Sequence, residues 1–129
     1  MLTDHEIAQR QPVWEALSNL WLDNELTDVD LDWIVKECLA SGYTVDELTN
    51  IYRYEVAPAV YLNLYQVAGE WGMFDEAWLY EEIVTLERYR TPLGRWWLRL
   101  SLTQYIMTSM TQDEWQYILQ RIQDKQRST

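Results

Sequence analysis

Four times the chain spells the opening of an α-helix. Thr3-Asp4-His5-Glu6, Thr44-Val45-Asp46-Glu47 and Thr111-Gln112-Asp113-Glu114 are capping boxes, and Thr27-Asp28-Val29-Asp30 is an acidic version of the same device. In each, the threonine hydroxyl satisfies a backbone N–H that a first helical turn leaves over, and the acid three residues on reaches back to the threonine N–H. Thr91-Pro92 sets a cap before a proline at the first helical position, and Asp75 can cap a helix beginning at Glu76. Between these starts the apolar residues recur at helical spacing. Val13, Leu17, Leu20 and Trp21 form one stripe, Leu31, Ile34, Val35 and Cys38 a second, and Trp115, Ile118, Leu119 and Ile122 a third. No run alternates with period two, and no Asn-Gly or Asp-Gly hairpin turn occurs.

The pattern predicts an all-α fold, a single compact bundle of about six or seven helices in one domain over residues 1–129. The helices are placed near 4–22 (kinked or broken at Pro12), 28–40, 45–56, 58–69, 76–89, 92–109 and 112–124. Gly42 stops the second, and the Gly69–Gly72 region separates the fourth from the fifth. Apolar residues cover nearly the whole circumference of 92–109, from Leu93 and Trp96 to Ile106 and Met107, which predicts a central helix with neighbours on several sides. Arg95 and Arg99 lie four apart and are expected to reach carboxylates of the acidic half.

That acidic half is the chain's second constraint. Residues 1–87 hold eighteen Asp/Glu and three Lys/Arg, a balance of −15, whereas residues 88–129 hold three and seven, a balance of +4. The total of −11 repels nucleic acid and anionic membrane and steers basic partners inward, so neither of the first two is expected as a partner. No apolar run approaches the roughly 20 residues that span a bilayer. The start, MLTDHEIAQRQ, lacks the charged-then-apolar pattern of a signal peptide, and the lone Cys38 suits a reducing compartment, so a cytoplasmic location is expected. Eight Trp and nine Tyr stand against one Phe, residues favoured at interfaces as well as in cores.

Catalytic patterns fail when their spacing is tested. "LTDVDLDWIVKE" (26–37) spaces Asp28, Asp30 and Asp32 as a calcium loop would, but the position of the turn glycine holds Trp33 and that of the bidentate glutamate holds Leu39. Acids in the first turn of a capped helix are explained by its dipole. His5 has no second His or Cys with which to hold zinc, and Cys38 lies on an apolar stripe where a buried thiol is commoner than a nucleophile. Asp75-Glu76 and Glu81-Glu82 are adjacent pairs, which diverge by about 100° on a helix and do not converge on one substrate atom. "RYRTPLGRWWLRL" (88–100) interleaves four arginines with three aromatics as a nucleic-acid groove does, yet it sits in an acidic chain, where internal pairing accounts for it better. No cofactor or metal is expected, and no enzyme activity.

What remains is an acidic face with a tryptophan in it. On the 28–40 helix, Trp33 and Val29 point away from the apolar stripe, with Asp30, Asp32 and Glu37 beside them and Asp28 at the start. Asp23 and Glu25 extend the same edge. An apolar anchor ringed by acids is the form of a binding hot spot, and the alternative, Trp33 as core, is equally open on spacing alone. The candidate partner-binding set is therefore Asp23, Glu25, Asp28, Asp30, Asp32, Trp33 and Glu37.

"RQPVWEALSNLWLDNEL" (10–26) and "APAVYLNLYQVAGEWGMFDEAWL" (57–79) resemble a family of short bacterial proteins known as a domain of unknown function. The resemblance covers roughly the first two thirds of the chain and implies no activity. In general character the chain is also similar to immunity proteins that neutralise toxins in bacterial competition, which are small, acidic and cytosolic, many of them blocking nucleases by offering carboxylates to a basic active site. A nuclease or other basic effector is the toxin expected. The expectation is a protein-binding module of that kind, a monomer or small homo-oligomer acting on a basic toxin domain. The alternative is a structural or adaptor protein that forms a homodimer through its Trp/Tyr-rich surfaces, and an unrecognised enzyme ranks last.

Overall fold

In the computed structural model, which describes residues 3–22, 26–61 and 76–127, every regular element among those residues is helical. Helices α1 (Asp4–Leu22), α2 (Asp28–Ala40) and α3 (Val45–Asn50) come first, followed by a π-helical segment, Ile51–Val56, that continues in helical form over 57–61. After the undescribed stretch come α4 (Glu76–Tyr89), α5 (Pro92–Arg99), α6 (Ser101–Thr108), a short 3₁₀ turn (Ser109–Thr111) and α7 (Gln112–Arg127). Asp75, the Gly69–Gly72 region and the end of the expected 58–69 helix lie outside the described residues.

The capping boxes at Thr3, Thr27 and Thr44 form as their sequences require, each with the reciprocal pair of hydrogen bonds. Thr91 caps α5 by accepting from the Gly94 N–H at 3.0 Å. Gly42, at φ +78°, ends α2 in the left-handed conformation that only glycine adopts without strain. Pro12 does not end α1, which runs through it. The box expected at Thr111 is the exception. That threonine is fully buried, and its hydroxyl donates to the Thr108 carbonyl while meeting the Tyr52 hydroxyl instead.

All three predicted stripes face the core, with Leu119 at its margin. At the centre, Tyr52 stacks on Trp115 at 4.2 Å between ring centroids and meets Trp21 at 5.3 Å, so α1, the π segment and α7 are joined through one aromatic column. Trp21 also donates its indole N–H to the Met107 carbonyl at 2.9 Å. Burial pushes the Tyr52 hydroxyl up to about 12, against the pull of its hydrogen bond with Thr111 and of the Arg53 charge.

Residues 45–61 were expected as two helices parted at Pro58, and they form one. Pro58 has no N–H, so it offers nothing to the Tyr54 carbonyl four residues back or to the Arg53 carbonyl five back. The π turn takes up the mismatch, with the Ala57 N–H bonded to the Tyr52 carbonyl. Side chains from later in the chain serve the two remaining carbonyls. Arg90 Nη1 donates to Tyr54 at 3.1 Å, and Gln104 Nε2 donates to Arg53 at 3.3 Å.

The expected central helix 92–109 is not found. It breaks at Leu100, whose extended backbone (φ −65°, ψ 136°) ends α5 and starts α6, and most of its apolar side chains are exposed. Only Leu98, Thr103, Met107 and Thr108 reach the interior. Apolar residues all round the segment do not make it central here: it lies on the surface, with Arg95 and Arg99 exposed along with most of its apolar side chains. Arg90 and Gln104 serve the π segment, and Gln104 also donates to the Leu98 carbonyl at 2.7 Å, across the break.

The compensation at Pro58 predicts a coupled pair of mutants. Arg90→Met should cost about 1–3 kcal/mol in denaturant unfolding, because the part-buried Tyr54 carbonyl loses a charged donor. In a Pro58→Ala background the restored N–H should shrink that cost. An equal cost in both backgrounds would show that Arg90 does not compensate for the proline.

Candidate functional site

The side of α2 opposite its buried stripe carries the predicted contact residues. Because Leu31, Ile34, Val35 and Cys38 are buried, Val29 (77% exposed) and Trp33 (41% exposed) are left outside. Trp33 is therefore a surface residue, which resolves the alternative that spacing left open. The carboxylates divide around it. Asp30 is spent on the helix start, accepting from the Thr27 N–H and hydroxyl at 3.0 Å each. Asp32 turns toward α7, where it accepts from the Tyr117 hydroxyl at 3.3 Å and faces Arg121 at 3.6 Å. Asp28 is exposed, and Glu37 is half-buried. Asp23 and Glu25 lie outside the described residues.

Trp33 and Asp30 also line a shallow hollow of about 240 Å³ with Glu15, Asn19 and Leu26, between α2 and α1. The face is thus an aromatic step flanked by an acidic hollow on one side and a neutralised Asp32 on the other. Chemically it can accept a cationic or hydrogen-bond-donating side chain beside an apolar surface. Among the described residues no cluster of three or more His, Cys, Asp and Glu side chains is arranged to hold a metal ion. His5 is exposed.

A second region escaped the sequence reading. Glu55, on the π segment, is largely buried, and both its oxygens are engaged. Arg10 pairs with Oε2, and the Trp14 indole donates to Oε1 at 2.8 Å. Burial raises the Glu55 carboxyl above its ordinary range, against the pull of Arg10. A buried acid with a raised pKa is one mark of a catalytic group. With both oxygens held by structural partners, Glu55 instead fastens α1 to the π segment. Nothing in the spacing of Arg10, Trp14 and Glu55 foretold this, since the contact spans more than forty residues.

Beside Glu55 lies a cleft of about 350 Å³ lined by Glu87, Arg90, Arg95 and Arg99, where Arg90 and Arg95 stand 3.4 and 3.6 Å from Glu87. Arg99 lies over the Tyr54 ring at 5.8 Å. The expected pairing of Arg95 with the acidic half is thus met by Glu87, whereas Arg99 finds an aromatic face. Helix α5 lies on the surface: Leu98 is its buried side chain, Arg95 and Arg99 line the cleft while remaining exposed, and Leu93, Trp96 and Trp97 face solvent.

The family defined by a domain of unknown function (DUF7079) matches residues 8–121, well beyond the two thirds over which the sequence resemblance was read. No curated protein and no solved structure matches the chain. No helix among the described residues is long and apolar enough to cross a membrane.

Two measurements check the placement of these groups. Trp33→Ala should cost under about 1.5 kcal/mol of folding stability, as suits a surface residue, while Trp115→Ala should cost about 3–5 kcal/mol. Near-equal losses would put Trp33 in the core. Cys38, sealed in the interior, has its thiol pushed up to about 12 from an ordinary 9.0. It should resist iodoacetamide in the folded protein and react once urea unfolds it. By linkage, the folded state keeps this contribution below pH 9 and loses it as pH rises through about 12, because only the unfolded thiol ionises in between. Ready labelling of the native protein near pH 8 would contradict the burial.

Proposed function

We infer that this chain, which belongs to the DUF7079 family, is a protein-binding module: an immunity or antitoxin-like inhibitor that neutralises a basic toxin domain in the cytoplasm, with no catalytic activity of its own. The observation that supports it most is the outward Trp33 and Val29, set beside an exposed Asp28 and the acidic hollow on the most acidic part of the chain. Exposed aromatic anchors with acids at the rim suit a partner whose contact surface is basic. The surplus of negative charge adds long-range steering. Asp32 contributes less to this than its spacing suggested, since Arg121 already shares its charge.

A second reading is a structural or adaptor protein that pairs with itself through Trp- and Tyr-rich surface and has no toxin partner. The outward apolar side of α5 favours it.

Coexpression tests the first reading. A basic toxin domain encoded beside this chain's gene should be lethal alone and harmless with it. In the purified pair, Asp28→Lys should chiefly slow association, because rim charges act through steering. Trp33→Ala should chiefly speed dissociation, by a factor corresponding to about 2 kcal/mol. Lethality undiminished by the wild-type chain would end the inhibitor reading.

A further inference from the structure

The stretch from Arg88 to Gln112 contains no Asp, Glu or Lys, in a chain that holds twenty-one acids among 129 residues. Its aromatic and apolar side chains are offered to solvent in two helical stripes. Leu93, Trp96, Trp97 and Leu100 fall at i, i+3, i+4 and i+7 on α5, and Leu102, Tyr105 and Ile106 repeat the spacing on α6. All seven are between 36 and 72% exposed, and the side chains that anchor the two helices, Leu98 and Met107, are buried. At about 200 Å² for a fully exposed side chain of this size, the stripes present on the order of 800 Å² of surface.

We propose that this face of α5 and α6 is where a second copy of the chain docks, forming a two-fold homodimer. Three features select that occupant. The area equals what a standard interface takes from each partner, about 800 Å², and it exceeds the few hundred Å² that a monomer ordinarily leaves open. The composition, two Trp and a Tyr among Leu and Ile with no acid or lysine, is that of an interface core. The charges are turned away from the face, with Arg95 held by Glu87 and Arg99 laid over Tyr54. An acidic partner would find these arginines already occupied, and a basic partner would find no acid. A matching apolar face meets no uncompensated charge, and a two-fold axis supplies one in every second copy. The proposal develops the self-pairing reading and leaves the acidic side of α2 free for another protein.

Sedimentation equilibrium of the full chain should give twice the 15.6 kDa chain mass, with dimerisation tightened by salt as the like charges of the two copies are screened. The double variant Trp96→Glu, Leu102→Glu should weaken dimerisation by about 30-fold or more while its helical circular dichroism is unchanged. Should that variant fail to fold, hydrogen exchange on the wild type serves in its place, since amides of residues 93–106 should slow as concentration rises. A wild-type chain that stays monomeric at sub-millimolar concentration overturns both this proposal and the self-pairing reading. A dimer that survives the double variant, or that shows no concentration-dependent protection over 93–106, overturns this face alone. A monomer that instead binds vesicles of phosphatidylcholine and phosphatidylserine through Trp96 and Trp97 would assign the face to lipid and overturn the dimer.

Discussion

A helix that must cross a proline without ending sets the terms for much of this molecule. Pro58 denies a donor to the carbonyls of Tyr54 and Arg53, and the bundle answers with a π turn and two borrowed side chains, Arg90 and Gln104. The donors come from the two ends of the segment that holds α5 and the start of α6, so that segment is tied down by its polar side. Between those two ties α5 lies on the surface, with Leu98 its buried residue and both its arginines and its apolar stripe exposed.

The same segment links the two anchors of the core. Tyr52, next to Arg53, stacks on Trp115 and meets Trp21, while Glu55 draws in Arg10 and Trp14. Helix α1 is therefore held twice, by aromatic packing near its end and by a charge-assisted pair nearer its start. A buried ion pair of this sort gives little net stability, because desolvation offsets most of the attraction. Its contribution is to fix register, since an unpaired Glu55 in that position would be costly.

What the sequence disclosed and what it withheld divide along physical lines. Caps at Thr3, Thr27 and Thr44, the stop at Gly42 and the three core stripes are local, and each was legible in a window of a few residues. Thr111 has the same local grammar as Thr44 but lies under Tyr52, and a tertiary contact redirected its hydroxyl. The 92–109 segment departs from its reading because apolar residues all round a helix need not be covered: all but Leu98 and Met107 lie exposed, as Arg95 and Arg99 do. Its break at Leu100 carries no glycine or proline to announce it. At the candidate site, the outward placement of Val29 and the carboxylates around it was visible from helical angles. The diversion of Asp32 to Arg121 and Tyr117 was not, since those partners lie on the last helix. Glu55 was invisible for the same reason.

The π turn has a further consequence for how the chain tolerates change in length. Such a turn holds one residue more than an α-helix of the same rise, and the residues after it are rotated by about 100° relative to an unbroken helix. Val56, Ala57, Ala59 and Val60 are all buried with that rotation in place. Winding the full-length segment as an ordinary α-helix would swing this small-residue surface round by that angle. Deleting one residue between Ile51 and Val56 would instead let the backbone relax to α geometry with the surface left in place. The turn thus takes up one residue of chain length, so this stretch should accept a single deletion more readily than a further insertion.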